Sequence, residues 1–166
     1  DYKSLRMMLH SFVLFYLFFK KDRLSFYFWG RNAVIDKKTL STLEKKGRIG
    51  FIGLGNMGSA IAMRLMKPEI DGLPLMVFDP DSIKLAPFAE KGAIAAKSAL
   101  ELGKSCDIIF ACLPTSEVTE TVLFGDSGIS SDLKAGQIFV DMTSGDPAIS
   151  RDQAARLAKA GVIFVD

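Results

Sequence analysis

The 166-residue chain is poor in residues that ligate metals or cross-link the backbone, with one histidine and two cysteines. His10 stands alone, with no Cys, His or acid cluster around it, so the sequence supports no metal site. Cys106 and Cys112 flank an apolar run six residues apart. Two cysteines exclude a disulfide scaffold, and the spacing predicts side chains on one face of a strand, too far apart to bond. Reduced thiols fit the cytoplasm or the mitochondrial matrix. Long apolar runs are also missing. Phe12–Phe19 is eight residues long, extends back to Met7 only through His10 and Ser11, and falls short of the ~20 needed to cross a bilayer. A large charge of either sign is absent too, and a net charge of +2 gives no reason to invoke nucleic acid.

That average hides a division. Residues 1–47 carry ten Lys/Arg against four acids and ten of the seventeen aromatics, whereas 48–166 carry eleven Lys/Arg against fifteen acids. The first segment therefore reads as a basic, Phe-rich extension and the second as a domain. Basic residues on both sides of Phe12–Phe19 resemble a signal-peptide core, but no small-x-small cleavage site follows closely. A basic leader poor in acids also fits a mitochondrial presequence, although Phe replaces the usual Ser and Arg. The plainest reading is an extension foreign to the domain, and Asp1 in place of a start methionine predicts a processed chain or one that begins inside a longer reading frame.

The richest stretch is Arg48–Gly58, an apolar run breaking into Gly53-Leu54-Gly55-Asn56-Met57-Gly58. Gly-x-Gly-x-x-Gly alone is weak evidence, since an ordinary glycine-rich turn matches it. Its context is what counts. The run before it is apolar on both faces, as in a buried parallel strand, and Ala60, Met63 and Met66 after it recur at helical spacing, predicting a helix over 59–67. In that setting Gly53 permits the sharp turn, Gly55 admits a pyrophosphate to the backbone, and Gly58 lets helix and strand pack closely. The helix start then favours phosphate through its free N–H groups and dipole. A second apolar run, Leu75–Phe78, ends in Asp79, 21 residues beyond Gly58. An acid at that offset accepts hydrogen bonds from the adenosine ribose and repels a 2′-phosphate.

Strand and helix signals alternate through the rest of the domain. Asp81 or Ser82 caps a helix reaching Lys91, stopped by Gly92, and a short strand follows at 93–95. Ser98 with Glu101 is a capping-box pattern opening a helix over 99–104. Strand 107–113 is halted by Pro114, and Thr115 or Ser116 caps a helix over 117–123. A loop with one helical turn near 131–133 leads to strand 138–141. Asp146-Pro147 opens a helix reaching Lys159, and strand 162–165 closes the series. Six strands with intervening helices predict an α/β fold, a Rossmann-type doubly wound parallel sheet ordered 3-2-1-4-5-6, with ligands at the carboxyl ends of the first and fourth strands. That crevice gathers Gly53–Gly58, Asp79, Leu113-Pro114 and the loop Met142–Asp146. Leu113-Pro114 also reads as a plain strand terminator, and Thr143 and Ser144 as local capping.

Together these motifs resemble the β-hydroxyacid dehydrogenase family, which includes the 3-hydroxyisobutyrate, tartronate-semialdehyde and 6-phosphogluconate dehydrogenases. Gly50–Gly58 is similar to the family's opening signature, Leu113-Pro114 to its Leu-Pro after the fourth strand, and Val140–Ser144 with Asp146-Pro147 to its Asp-x-Ser-Thr-x-x-Pro segment. The resemblance covers 48–166 and is strongest to the 3-hydroxyisobutyrate dehydrogenases, which share Phe/Tyr-Asp where NADP-using members have Asn-Arg. It implies NAD, with NADP the lesser alternative, held by Gly53, Leu54, Gly55, Asn56, Met57, Gly58, Asp79, Leu113, Pro114 and Ser144. A further family contact, often Asn, falls near Val118. Ile61 and Arg64 replace a usual Met and Asn, and the connection 68–74 is longer than common. The resemblance also implies a helical C-terminal domain carrying Ala-Pro-Val-Ser-Gly-Gly and a catalytic lysine. No lysine in 48–166 sits in a matching motif, so no catalytic residue is named, and the chain reads as the cofactor half of a dehydrogenase truncated before its substrate half. A small hydroxyacid partner is expected only with that further domain, and a homo-oligomer is expected as well. The alternatives are a stand-alone dinucleotide-binding or regulatory module and an NADP-dependent reductase of the 6-phosphogluconate dehydrogenase-like group. Pyrroline-5-carboxylate reductases open similarly, but end this fourth strand in Lys-Pro, not Leu-Pro.

Overall fold

A computed structural model describes residues 25–28, 31–34, 48–66 and 75–166. The Phe12–Phe19 run, Lys67 and the connection 68–74 lie outside the described residues. The chain divides into two units, Asp1–Lys45 and Lys46–Asp166. In the first, strands β1 (Ser25–Phe28) and β2 (Arg31–Val34) form an antiparallel pair with Ser25 opposite Val34. The sequence reading placed no strand there.

The second unit is built from β3 (Ile49–Ile52), α1 (Asn56–Leu65), β4 (Leu75–Phe78), a 3-10 turn (Ser82–Leu85), α2 (Ala86–Ala89), β5 (Ile94–Ala95), α3 (Ala99–Ser105), β6 (Ile108–Ala111), α4 (Ser116–Phe124), β7 (Ile138–Asp141), α5 (Pro147–Lys159) and β8 (Ile163–Val165). Six parallel strands pair in the order β5-β4-β3-β6-β7-β8. This is the predicted doubly wound order, with its reversal between β3 and β6.

Alternation along the strands feeds two cores. Ile52, Met76, Ile109 and Phe139 face Leu102 of α3, Leu123 of α4 and Leu157 of α5. On the opposite face, Phe51, Val77 and Phe110 pack with Ala62 of α1 and Phe88 of α2. Each such buried Leu or Phe contributes about 2 kcal/mol of apolar transfer. The sheet thus holds the carboxyl ends of β3 and β6 side by side, with Ile52 in register with Ala111.

Local chemistry explains where the elements depart from the expected bounds. α1 starts at Asn56, because the Ser59 N–H already bonds the Gly55 carbonyl at 2.8 Å. The helix expected over 82–91 is split into the 3-10 turn and α2, since Pro87 has no N–H for an α-type bond to the preceding turn. Gly92, at φ +91°, closes it, with Ala93 N–H to Phe88 and Gly92 N–H to Ala89. Ser98 accepts the Glu101 N–H at 3.1 Å, while Glu101 reaches past the cap to the Lys97 N–H at 2.7 Å. The helical turn expected near 131–133 is a non-helical turn.

The two cysteines do not share a face. Both are free, but Cys106 lies in the core under α3 and Cys112 borders the core under α1. Cys106 caps the end of α3, two residues before β6 begins, so strand alternation does not relate the two positions.

Candidate functional site

Every predicted site residue except the glycine-loop helix turn itself stands at or just beyond the carboxyl end of a central strand. The loop after β3 turns at Gly53, at φ +92°, where a Cβ would overlap the Cys112 carbonyl oxygen. A Cβ at Gly58 would overlap the Gly53 carbonyl oxygen. These two glycines are therefore demanded by the fold. Gly55 is different. Its backbone is ordinary, at φ −65°, and a Cβ there would meet nothing within 4 Å. The chain itself does not need a glycine at 55, whereas a ligand lying against the backbone would.

The start of α1 fits an anion. Gly55 caps it without a side chain to take the first N–H groups, no acid lies in the first turn, and Asn56 and Met57 are exposed. Phosphate is the natural complement of such a terminus.

Asp79, just beyond β4, is 6% exposed. Its Oδ2 accepts the Leu54 N–H at 2.7 Å, and its Oδ1 accepts the Asp81 N–H at 2.9 Å and the Lys84 ammonium at 3.3 Å. Burial pushes this carboxyl up, but the two N–H groups and Lys84 together carry it below its ordinary value. A carboxylate oxygen offers up to two acceptor positions, and Oδ2 receives one of these protein donors where Oδ1 receives two. The sequence reading did not foresee that Asp79 also ties two loops together, nor that Lys84 stands beside it.

The other flank presents uncharged residues at the strand ends. Leu113 is half-buried and Pro114 exposed after β6, and Ser144 is exposed after β7. Between them, the Thr143 hydroxyl accepts the Leu113 N–H at 3.1 Å and the Thr119 hydroxyl at 3.3 Å. The Thr143 N–H in turn donates to Asp141 Oδ1 at 2.9 Å. Burial raises the Asp141 carboxyl above its ordinary value, while the Thr143 hydroxyl and N–H oppose the rise. Burial also raises the nearby Cys112 thiol, and the Asp141 charge adds to the effect. Val118 is an exposed residue of α4, whose N–H contacts its cap Thr115 at 3.4 Å.

Other surfaces are less suited to a dinucleotide. An open groove between α4 and α5 is lined by Glu117, Glu120 and Asp152 with Thr121, Ala148 and Ile149. Its three carboxylates outnumber Arg156, which pairs with Glu120 and Asp152, leaving a net negative charge that repels phosphate. Among the described residues no cluster of His, Cys, Asp and Glu could hold a metal ion, and no helix is long and apolar enough to cross a membrane.

Comparison with known proteins agrees with this geometry. A profile described as the NAD binding domain of 6-phosphogluconate dehydrogenase matches residues 48–166. The 2-(hydroxymethyl)glutarate dehydrogenase of Eubacterium barkeri is 37% identical over 124 residues, covering 75% of this chain and 40% of the relative. The mitochondrial 3-hydroxyisobutyrate dehydrogenase of Mus musculus is 37% identical over 127 residues, covering 75% and 36%. An imine reductase of Myxococcus stipitatus, solved as a variant with NAD+, superposes at TM-score 0.64 with 27% identity over 71% of this chain and 39% of that one. The same enzyme is also solved with NADP+, at TM-score 0.63 and 27% identity over 70% and 39%. The chain thus spans about 40% of the length of the curated relatives it matches. It belongs to the family of the NAD binding domain of 6-phosphogluconate dehydrogenase, the dinucleotide-binding domain of the β-hydroxyacid dehydrogenases.

Proposed function

We propose that residues 48–166 hold NAD, in preference to NADP, as the cofactor-binding part of an oxidoreductase resembling the 3-hydroxyisobutyrate dehydrogenases. The pyrophosphate lies over Gly53-Leu54-Gly55 and against the start of α1 at Asn56, Met57 and Gly58. Asp79 accepts an adenosine ribose hydroxyl through Oδ2, and Leu113, Pro114 and Ser144 border the nicotinamide half. The observation that carries this reading is the unfilled space above Gly55 beside a helix start that no side chain caps. In the resembled enzymes a hydride passes between the carbinol carbon of a hydroxyacid and the nicotinamide. A small hydroxyacid enters this reading only together with a substrate-binding domain, and no catalytic residue is assigned.

The preference for NAD rests on the Asp79 charge, tempered by Lys84. Calorimetric titration of the full chain is expected to give tighter binding of NAD than of NADP, and equal or reversed affinities would refute the preference. Deleting residues 1–47 is expected to leave NAD affinity within about twofold, which places the binding unit in 48–166; a larger loss would assign the extension a part in the site. Self-association through the exposed Ile163 and Val165 of β8 is the expected solution behaviour, read by sedimentation. The free thiols support a reducing compartment, the cytoplasm or, following the mouse relative's mitochondrial name, the matrix. Imaging of the tagged full chain distinguishes the two.

A further inference from the structure

β3 and β6 end in the same way at the crevice. Beyond β3 the Leu54 N–H leaves the ladder and bonds a side chain of the neighbouring strand's end, Asp79. Beyond β6 the Leu113 N–H does likewise, and its acceptor is the Thr143 hydroxyl. The last main-chain rung between β6 and β7 is Met142 N–H to the Ala111 carbonyl at 2.8 Å. After it, a side chain replaces the carbonyl. The next residue, Pro114, has no N–H at all, so the Leu113–Thr143 bond is the last tether available to the main-chain N–H groups of that turn.

Thr143 is itself held from two further directions. Its N–H is fixed by Asp141, which is 6% exposed, and its hydroxyl receives that of Thr119, which is fully buried on α4. The Thr143 hydroxyl accepts twice within this arrangement, and Asp141 behind it is buried. The effect of the arrangement is to set how far the Leu113-Pro114 turn stands from the strand ends. A dinucleotide crosses the crevice where strand order reverses. With its adenosine ribose at Asp79, its other nucleoside falls on the β6–β7 side.

We propose that Thr143, backed by Thr119 and Asp141, is a positioning residue that fixes the Leu113-Pro114 turn against the nicotinamide ring and leaves the rest of the dinucleotide untouched. This rests on the dinucleotide reading above. The probes are NAD and ADP-ribose, which share everything except the nicotinamide, titrated by calorimetry into the full chain. For Thr143→Val the NAD dissociation constant is expected to rise about tenfold while that of ADP-ribose stays within twofold, and Thr143→Ser, which keeps the hydroxyl, restores NAD binding. Thr119→Val should shift NAD binding in the same direction by a few-fold, and serves as the second variant should Thr143→Val fold poorly. Amide exchange provides a ligand-free readout: Leu113 N–H protection is lost in Thr143→Val and kept in Thr143→Ser. If the native chain binds both probes but the variants weaken them equally or not at all, the positioning role is wrong and the dinucleotide reading stands. If the native chain binds neither, the dinucleotide reading fails and the proposal falls with it.

Discussion

The two flanks of the crevice solve one problem with opposite chemistry. On the β3–β4 side a departing N–H is caught by a carboxylate that also binds a second N–H and an ammonium. On the β6–β7 side it is caught by a neutral hydroxyl, and the nearest carboxylate sits one bond further back on Asp141. Asp79 and Asp141 are equally buried, at 6% exposed, and what differs is their partners: Asp79 meets two main-chain N–H groups and an exposed ammonium, whereas Asp141 meets the N–H of Thr143. On the dinucleotide reading, the first flank discriminates by charge and the second positions.

The largest effect tests what both flanks share, the glycine turn between them. Gly55→Val is expected to weaken NAD binding by more than a hundredfold while leaving circular dichroism and melting temperature near native, because its side chain has space in the fold and none beneath a pyrophosphate. Gly58→Val should instead fail to fold, since its Cβ overlaps the Gly53 carbonyl. Equal loss of structure in both variants would mean that the glycines serve packing alone.

A smaller effect separates the flanks by stability. Asp79→Ala strands two N–H groups and leaves Lys84 without this partner, and bonds to an ionised acceptor are worth more than neutral ones, so a loss of about 3 kcal/mol is expected. Thr143→Val strands one N–H and the buried Thr119 hydroxyl, both bonded to a neutral acceptor, and about 2 kcal/mol is expected. Urea denaturation of both variants decides between them; equal losses would erase the energetic contrast.

How much of this contrast the sequence disclosed follows from the range of the interactions. The glycine turn, the six strands and Asp79 were legible because each is a local pattern: an apolar run, a turn residue, an acid at a fixed offset. The helix caps Ser98 and Asp146 were legible for the same reason, and the structure selects Asp81 over Ser82 and Thr115 over Ser116 where the sequence offers both. What Asp79 and Thr143 bond was not, because Leu54 lies 25 residues from one and Leu113 lies 30 from the other. Only strand order and register bring those atoms together. The cysteine error has the same origin: alternation was extended through residue 106, where the chain is still leaving a helix.

The flanks should also answer pH in opposite senses. Asp79 titrates below its ordinary value in the fold, so its contribution is fully present above the unfolded carboxylate pKa and is lost as pH falls through the lower folded one. Asp141 titrates above its ordinary value, so the folded state binds the proton more tightly and stability declines as pH rises from the unfolded towards the folded pKa. Melting curves across the acid range are expected to lose part of their acid destabilisation in Asp79→Asn and to show a steeper gain of stability with pH in Asp141→Asn. Superimposable pH profiles for the two variants would contradict the assignment.

The smallest expected effect falls on Lys84, the one cation that meets Asp79 at the discriminating flank among the described residues. Its ammonium is 3.3 Å from Asp79 and 3.9 Å from Asp81, with the side chain 42% exposed. An ion pair so open to water is worth less than about 1 kcal/mol, so Lys84→Gln should barely move the melting temperature. Its electrostatic effect on a ligand is another matter. Lys84 partly neutralises the carboxylate that a 2′-phosphate would approach, and its removal leaves that charge unopposed. NADP affinity is therefore expected to fall by several-fold while NAD, lacking the phosphate, changes by less than about twofold, and added salt should narrow the difference. If Lys84→Gln weakens the two dinucleotides equally, the ammonium supports only the loop, and the discriminating charge at this flank is that of Asp79 alone.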